Sequence, residues 1–409
     1  MAAFDFSPDS RMILKIAETR EELEACFRLL HDAYVDSGYM RPHPSGLRVT
    51  AYHALPTTTT LCAQYDGQVV GTISLIRDGV FGFPVQQAFD LHNLRQQDGQ
   101  IAEASALAVS SAFRQHGGMT VFPLLKFMYE YCTKYFDTRH LVIAVHPKHI
   151  KFYESVLFVQ RLQEKVVERY DFVNGAPAVA GSVDLFRAAE LMRQAYADKP
   201  RHRSLAAYFL ELELPNIQWP SRRYHITNDP VMTPELLDHF FNQRTSTFAE
   251  MERRQIALLH SIYRAPEYQA CLPALTAQEY AEALERRHPR YTLHCPATLT
   301  IEQPPVCSSI RLDVIDVSME GFQAEAVDPV PLKTWGQVEV ELGRERCSKL
   351  TAVAVREQET GGHRYIGFRL SLPDRAWYAF IQALEHGQAH KAQQNNSSNG
   401  FRPDSPLPT

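Results

Sequence analysis

Apolar residues recur along the chain in three different patterns, and each pattern predicts a different architecture. From residue 12 to about 175, segments with the 3.6-residue period of a helix alternate with short β-rich runs. From about 181 to 284 helical spacing dominates, and from 291 to 372 short strand-like runs follow one another. We therefore expect an α+β multidomain protein with a mixed α/β N-terminal part, a helical linker and a small C-terminal β-barrel.

The first helix of the N-terminal part carries its own start signal. Thr19 and Glu22 have the spacing of a capping box, and apolar residues then recur at helical spacing: Leu23, Phe27, Leu30 and Tyr34. Asp66-Gly67 separates two β-rich runs and predicts a hairpin. The segments IAEASALAV, MTVFPLLKFMYEYCTKY, HLVIAV and HIKFYESVL predict a strand, a helix, a strand and a helix in that order.

The C-terminal part is expected to contain six strands and one closing helix. The strands are YTLHCPATLTI, RLDVIDVS, GFQAEAV, GQVEVELG, LTAVAVREQ and HRYIGFRLSL. Pro373-Asp374 marks the start of the helix, and the polar segment from 388 to 409 is expected to be disordered. In the helical linker, Thr233-Pro234 and the pair Thr276 and Glu279 predict two helix starts.

Composition limits the classes of function. A chain of 409 residues is too long for one core, and its formal net charge of −5 argues against broad binding to nucleic acid or anionic membrane. Seven cysteines without C-x-x-C spacing make a zinc site or disulfide framework unexpected and favour a reducing cytoplasm. No apolar run is long enough to predict a signal peptide or an integral membrane segment, so we expect a cytoplasmic protein without a metal.

Two motifs in the C-terminal part place ligand-binding chemistry next to predicted strands. Arg286 and Arg290 have the spacing R-x-x-x-R, and Pro289 ends the preceding helix before the second arginine. Asp316 to Gly321 has the form D-x-S-x-x-G between two strands. Each motif alone is also typical of an ordinary structural feature, a basic helix end or a β-turn.

Together, on a predicted β-barrel, these motifs resemble the PilZ domain, a receptor module for cyclic di-GMP. The resemblance covers residues 285–387 and implies that Arg286 and Arg290 bind phosphate and guanine, with Arg287 as a further candidate. It also implies that the residues of the second motif line the guanine pocket: Asp316, Ser318 and Gly321.

The N-terminal element order resembles the GNAT acyltransferase fold, and within it the long-chain N-acyl amino acid synthases. FRLLHDAYVDSGY and EASALAV carry the closer likeness, and the domain is expected to span residues 12–215, followed by linker 216–284. The resemblance implies that Arg114, Gly117 and Gly118 begin the loop that binds the acyl donor. Arg28 and Ser105 are candidates for an acceptor contact or a structural role.

The chain departs from the family pattern at two positions. Met119 stands where the donor loop usually has a small residue, which favours an acyl carrier protein over coenzyme A as the carrier of the acyl thioester, or the absence of any donor. The fourth strand keeps Glu103 and Ser105 of the motif E-x-S-R but has Ala106 in place of the arginine. This substitution leaves the activity and the acceptor open.

If the domain is an enzyme, an amine attacks a thioester and must lose a proton. Glu103 is the first candidate for the general base, because it interrupts an apolar strand and burial raises the pKa of a carboxyl. Tyr153 is a candidate proton donor to the leaving thiolate, and His146 is a weaker candidate. A buried ion pair for Glu103 and core packing for Tyr153 are the structural alternatives.

Two hypotheses follow from the sequence. The first is an N-acyltransferase that responds to cyclic di-GMP and transfers a long acyl chain to an amine such as an amino acid. The second is a non-catalytic cyclic di-GMP effector whose GNAT-like domain binds a partner or a lipid. Neither hypothesis includes a nucleic acid partner, because no basic face or helix-turn-helix stands out.

Overall fold

The structure is a computed structural model that divides into two compact units. The first unit contains residues 1–219, 231–261 and 265–285, and the second contains 220–230, 262–264 and 286–409. The residues that the structure describes are 11–78, 81–95, 97, 99–114, 120–136, 138–220, 229, 231–263, 266–276, 279, 291–303, 306–343, 346–360 and 363–385.

A mixed eight-stranded sheet forms the centre of the first unit. Its strands are β1 (Met12–Ile16), β2 (Thr58–Tyr65), β3 (Gln68–Arg77), β4 (Ile101–Val109), β5 (His140–Val145), β6 (Gln160–Arg161), β7 (Val167–Tyr170) and β8 (Ala176–Asp184). The strand order is β1-β2-β3-β4-β5-β8-β6, and β7 pairs with β8. Only the pairing of β4 with β5 is parallel among these described pairs.

Helices flank this sheet. They are α1 (Arg20–Asp36), α2 (His92–Arg95), α3 (Ser111–Arg114), α4 (Val121–Lys134), α5 (Pro147–Val156) and α6 (Leu185–Ala195). The buried side of α4 packs Leu124, Phe127 and Met128 into the same apolar core as Leu61 and Leu75 of the sheet. This core holds the strands in place around the candidate site described below.

The capping box and the hairpin turn predicted from the sequence both form in this unit. Thr19 accepts a hydrogen bond from the Glu22 amide, and the Glu22 carboxylate accepts one from the Thr19 amide, so the capping box forms. Asp66 and Gly67 both have positive φ, 49° and 79°, as a two-residue hairpin turn of type I′ requires.

The strands β4 and β5 separate soon after they begin to pair. Their parallel register covers only Ile101 to Glu103, whereas β5 pairs with β8 along its whole length. Opposite β3, β4 contains one extra residue between Ser105 and Ala108, and within this bulge Ala106 has a φ of 57°. The bulge and the loss of pairing open the sheet on the β5 side of β4.

The helical segment after the sheet belongs to the same compact unit as the sheet. Its helices are α7 (Pro234–Leu237), α8 (Thr247–Glu250), α9 (Arg253–Ile262) and α10 (Pro266–Gln269), and Asp238–Arg244 forms a π-helical turn. The contacts of this turn with α1 include Arg20 with His239, Glu24 with both His239 and Arg244, and the rings of Phe27 and Phe240. The predicted starts at Thr233-Pro234 and at Thr276 with Glu279 both form their capping hydrogen bonds.

The second unit is a closed six-stranded antiparallel barrel. Its strands are β9 (Tyr291–Gln303), β10 (Val306–Ser318), β11 (Gly321–Ala326), β12 (Trp335–Gly343), β13 (Arg346–Thr360) and β14 (His363–Leu370). They close in the order β10-β11-β14-β13-β12-β9. Apolar side chains fill the interior, among them Leu299, Val314, Phe322 and Ile366.

The closing helix α11 (Arg375–Glu385) inserts Trp377 and Ile381 into the barrel core. The Trp377 indole N–H donates to the Ser318 carbonyl at 3.1 Å, so this large ring is buried with its polar atom satisfied. Asp374 caps the helix, because its carboxylate accepts from the Trp377 amide at 2.7 Å.

The predicted architecture is confirmed at the level of a mixed α/β N-terminal domain and a six-stranded closed barrel. The boundaries 12–215, 216–284 and 285–387 stay predictions, and the segment 388–409 lies outside the described residues. Within the described residues, no helix has both the length and the apolar character needed to cross a bilayer.

Candidate functional site

A cavity of about 600 Å³ lies where β4 and β5 separate, a volume in the usual range for small-molecule sites. Most of its wall is apolar, with side chains from β4, α4, β5 and α5 that include Leu107, Phe122, Leu125, Met128, Ile143 and Phe152. Its polar groups are few: Glu103 and Ser105 on β4, Ser37, the tyrosines 34, 39, 153 and 170, and the histidines 146 and 149. An elongated apolar ligand with one polar reacting end fits this lining.

Glu103 is buried in the wall of this cavity, with 2% of its surface exposed. Burial raises the pKa of its carboxyl to about 8, although hydrogen bonds from the Val85 amide and from Ser105 oppose the shift. No ion pair with Glu103 forms among the described residues, so the predicted alternative of a salt-bridge partner has no contact there to support it. The carboxyl can therefore exchange a proton near neutral pH.

Tyrosine side chains surround this carboxyl. Burial raises the pKa of Tyr170 and of Tyr52, the latter to about 12, and the Glu103 charge adds to both shifts. The hydroxyls of Tyr39 and Tyr170 are buried and have no hydrogen-bond partner within the described residues. An unpaired buried hydroxyl costs about 1–3 kcal/mol, and a polar group of a ligand in the cavity would recover part of that cost.

Tyr153 and His146 line the cavity from α5 and its N-terminal cap. Tyr153 lies on α5, and burial raises the pKa of its hydroxyl to about 12, so it keeps its proton at neutral pH. His146 caps α5, where its Nδ1 accepts from the Lys148 amide at 3.2 Å. Burial and the Lys148 charge lower the pKa of His146, so its imidazole is neutral at pH 7.

Four of the residues proposed from the sequence line the cavity: Glu103, Ser105, His146 and Tyr153. Arg28 is not among its lining residues; it pairs with Glu24 one turn earlier on α1, at 2.9 Å. Of the predicted donor loop, only the backbone of Arg114 is described, at the end of α3, and Gly117 and Gly118 lie outside the described residues.

The D-x-S-x-x-G motif forms the tight turn between β10 and β11. Ser318 pairs with Gly321, and the Ser318 hydroxyl donates to the Gly321 carbonyl at 3.1 Å. A Cβ at Gly321 would collide with the Phe368 carbonyl of β14, so close approach of the backbone explains this glycine. Asp316 lies beside a bulge in β10, and Arg286, Arg287 and Arg290 lie outside the described residues.

Several residues of the cavity were not singled out from the sequence as functional. Tyr34 and Tyr39 lie in the segment FRLLHDAYVDSGY and His149 begins HIKFYESVL, but none of the three was given a role, and Tyr170 carries no local motif. Tyr39 stacks on His146 with ring centroids 6.0 Å apart, although more than one hundred positions separate them in the sequence. Such a long-range pairing leaves no local pattern from which it could be found.

Comparison with known families matches residues 25–184 to the N-acyl amino acid synthase FeeM. The match covers less than half of the chain. It contains β4, β5 and the cavity residues Tyr34, Glu103 and Tyr153. The chain matches none of the curated proteins.

Solved structures resemble parts of the chain. FeeM from uncultured soil microbes is 24% identical, covers 46% of this chain and all of its own, and has a TM-score of 0.39. BjaI, a CoA-dependent acyl-homoserine lactone synthase, is 18% identical, covers 46% of this chain and 91% of its own, with a TM-score of 0.36. Escherichia coli YcgR in complex with c-di-GMP is 20% identical, covers 27% of this chain and 51% of its own, with a TM-score of 0.22. At these TM-scores the likenesses say nothing about what this chain binds.

Proposed function

We propose that the chain is an N-acyltransferase that moves a long-chain acyl group from a thioester donor to an amine such as an amino acid. The observation that carries this proposal is the Glu103 carboxyl, buried in the wall of a largely apolar cavity with a pKa raised to about 8. The apolar lining suits an acyl chain, and the carboxyl suits the deprotonation of an amine. The family match over residues 25–184 supports the same activity.

The reaction assigns separate tasks to Glu103 and Tyr153. The amine nitrogen attacks the thioester carbonyl carbon, a C–N bond forms, and Glu103 takes a proton from the nitrogen. The tetrahedral intermediate then collapses and the C–S bond breaks. Tyr153, which keeps its proton at neutral pH, gives that proton to the departing sulfur, and the proton held by Glu103 replaces it through solvent, so that the products are an amide and a thiol.

The donor is proposed to be an acyl-carrier-protein thioester in preference to coenzyme A. The reason is Met119, a bulky residue where a coenzyme A pyrophosphate would need close approach of the backbone. The thioester itself is common to both carriers, so the carrier changes the affinity for the donor and leaves the chemistry at Glu103 unchanged.

We further propose that the barrel binds cyclic di-GMP and regulates the transfer. Support comes from the R-x-x-x-R spacing of Arg286 and Arg290 and from the D-x-S-x-x-G turn on the barrel. A path for the signal within the first unit is the π-helical turn Asp238–Arg244, which contacts α1. The same helix carries Tyr34 into the cavity wall.

The activity is tested by mass spectrometry of lipid extracts from cells that express the chain. We expect new N-acyl amino acids with the wild type and none with Glu103→Gln, provided that the variant is folded by circular dichroism. Equal product from wild type and a folded Glu103→Gln would refute the role of the carboxyl. No product from a folded wild type, with either donor supplied in vitro, would refute the activity.

The proposed binding of cyclic di-GMP by the barrel is tested by calorimetry. We expect binding by the wild type and a loss of at least about tenfold in affinity for Arg290→Ala, because one charge-assisted contact is removed. Wild-type affinity in Arg290→Ala would exclude this residue from the nucleotide site.

A further inference from the structure

Two β-bulges lie at the ends of one row of residues that crosses the barrel. Opposite β11, β10 has one extra residue just before Asp316, and opposite β14, β13 has one extra residue just before Arg356. Asp316 pairs with Gln323 of β11. Gln323 in turn pairs with Gly367 of β14, and Gly367 pairs with Arg356, so the row crosses four neighbouring strands. Bulges re-aim side chains and are frequent next to functional sites.

This row lies on the outer surface of the barrel. Gln323 stands between Phe322 and Ala324, which both belong to the barrel core. Because successive side chains of a strand point to opposite faces, Gln323 and the residues paired with it point away from the core. Arg356 is exposed, as this position requires. A ligand can therefore reach the row from solvent.

Gly367 leaves a path across β14 for the side chain of Arg356. A Cβ at Gly367 would lie 2.7 Å from both Cγ and Nε of Arg356, so this side chain passes directly over the glycine. Beyond it, a terminal nitrogen of Arg356 donates to Oε1 of Gln323 at 3.4 Å. Gln323 is the strand partner of Asp316, and the Cα atoms of such partners are about 4.5–5.5 Å apart. The guanidinium therefore lies beside the D-x-S-x-x-G motif, although its own backbone is three strands away.

The hydrogen-bonding groups at this end of the row match one base. Within the described residues Arg356 forms no ion pair and donates to a neutral amide, so most of its five N–H donors can bind a ligand. A guanidinium only donates, whereas the neighbouring carboxylate of Asp316 only accepts. Guanine has acceptors at O6 and N7 beside N–H donors, but adenine has an amino donor in the place of O6. Arg356 and Asp316 together therefore suit guanine and disfavour adenine.

We propose that Arg356 binds O6 and N7 of one guanine of cyclic di-GMP and determines the preference of the barrel for guanine over adenine. This inference rests on the proposed binding of cyclic di-GMP by the barrel. It adds a residue that lies outside both sequence motifs and that reaches Asp316 only through the strand order of the barrel.

Calorimetry on the full chain with cyclic di-GMP and with cyclic di-AMP tests this assignment. The variants are Arg356→Gln, Arg356→Lys and the control Arg311→Gln. Arg311 is an exposed arginine of β10, so its loss changes the net charge equally. It lies about 16 Å along the strand from Asp316, outside the reach of a base bound there. The melting temperature of each variant shows whether it is folded.

We expect the wild type to bind cyclic di-GMP more tightly than cyclic di-AMP. Arg356→Gln should lose about 10- to 100-fold in affinity for cyclic di-GMP, the range for a bidentate contact with a base, and keep its affinity for cyclic di-AMP. Arg356→Lys should lie between the two, because lysine keeps the charge but not the paired donors. Arg311→Gln should bind both nucleotides as the wild type does.

Three results would contradict the assignment in different ways. Wild-type affinity for cyclic di-GMP in a folded Arg356→Gln would exclude the residue and leave the nucleotide site intact. An equal loss for both nucleotides would place Arg356 at a phosphate, and the proposed guanine contact would be wrong. No binding of either nucleotide by the folded wild type would refute the nucleotide site as a whole.

The path of the side chain over Gly367 has a separate test. Gly367→Ala obstructs this path without removing the charge of Arg356. The substitution should weaken binding of cyclic di-GMP in the wild type and have no effect in the Arg356→Gln background, since the two residues then act as a unit. The same effect in both backgrounds, or none in either, would contradict this path.

Discussion

Glu103 is the single carboxylate of β4, and the fold around it determines when it is charged. The sequence predicts its burial, because the flanking residues of the strand are mostly apolar. It does not predict the ring of tyrosines at 34, 52 and 170, which come from three separate segments. The carboxyl could therefore be identified from the sequence, but its surroundings could not.

The raised pKa of Glu103 predicts a pH-dependent cost to stability. The carboxyl has a pKa of about 8 when folded and an ordinary value of 4.5, so between these values only the folded state keeps the proton. Stability attributable to this group therefore falls as pH rises from about 4.5 to 8. Glu103→Gln, which stays neutral, should melt at least about 2 °C above wild type at pH 8.5 and close to it at pH 5.

A matched control for this prediction is Glu154→Gln on α5, where the carboxylate pairs with Arg161 near the surface. The difference in melting temperature between Glu154→Gln and wild type should not increase from pH 5 to pH 8.5. A Glu103→Gln variant whose difference from wild type is the same at both pH values would contradict the assigned pKa.

At the scale of elements, the periodic patterns predict most helices and strands of both units. HLVIAV coincides with β5, and the six C-terminal runs coincide with the barrel strands to within a few residues. The bulge at Ala106 was not predicted, because a positive φ is signalled by glycine or asparagine and not by alanine. The feature that opens the sheet at the candidate site is therefore set by tertiary structure.

The closing helix of the barrel depends on one side chain at its start. The Asp374 carboxylate accepts from the Trp377 amide, from the buried Ser348 hydroxyl at 2.9 Å and from the Lys349 amide at 2.8 Å. Asp374→Ala removes the cap and leaves a buried hydroxyl unpaired, at a cost of about 1–3 kcal/mol. Hydrogen exchange in α11 should become at least about fivefold faster, and Asp374→Asn should lose less. Unchanged exchange in Asp374→Ala would mean that the cap contributes nothing.

At the scale of the whole molecule, apolar residues at helical spacing in 231–261 predict which helix faces are buried. They do not predict the surface on which these helices pack. That surface includes α1, through Arg20, Glu24 and Phe27. The predicted linker is thus joined by direct contacts to a helix of the candidate site, which gives the proposed regulation a physical route. The nucleotide-binding roles of Arg286, Arg287 and Arg290 were implied by the resemblance to the PilZ domain and stay predictions.

The proposed regulation through the contact between Asp238–Arg244 and α1 can be tested with a substitution outside both proposed binding sites. Arg244→Gln breaks the ion pair with Glu24, which is worth up to about 1 kcal/mol. The change in transfer rate caused by cyclic di-GMP should fall by about two- to fivefold, while calorimetric binding of the nucleotide stays the same. Arg253→Gln, which loses an ion pair with Glu279 elsewhere in the segment, is the control. An unaltered response in Arg244→Gln would exclude this route.

The central claim is that Glu103 removes the proton in acyl transfer, and the pH dependence of the rate tests it most directly. With a dodecanoyl thioester and an amino acid, wild-type kcat/KM should rise about tenfold per pH unit and level off near the carboxyl pKa of about 8. Glu103→Gln should lose about 10²–10⁴-fold in rate and show only the titration of the acceptor amine. A folded Glu103→Gln variant with the wild-type rate and the wild-type profile would contradict the account.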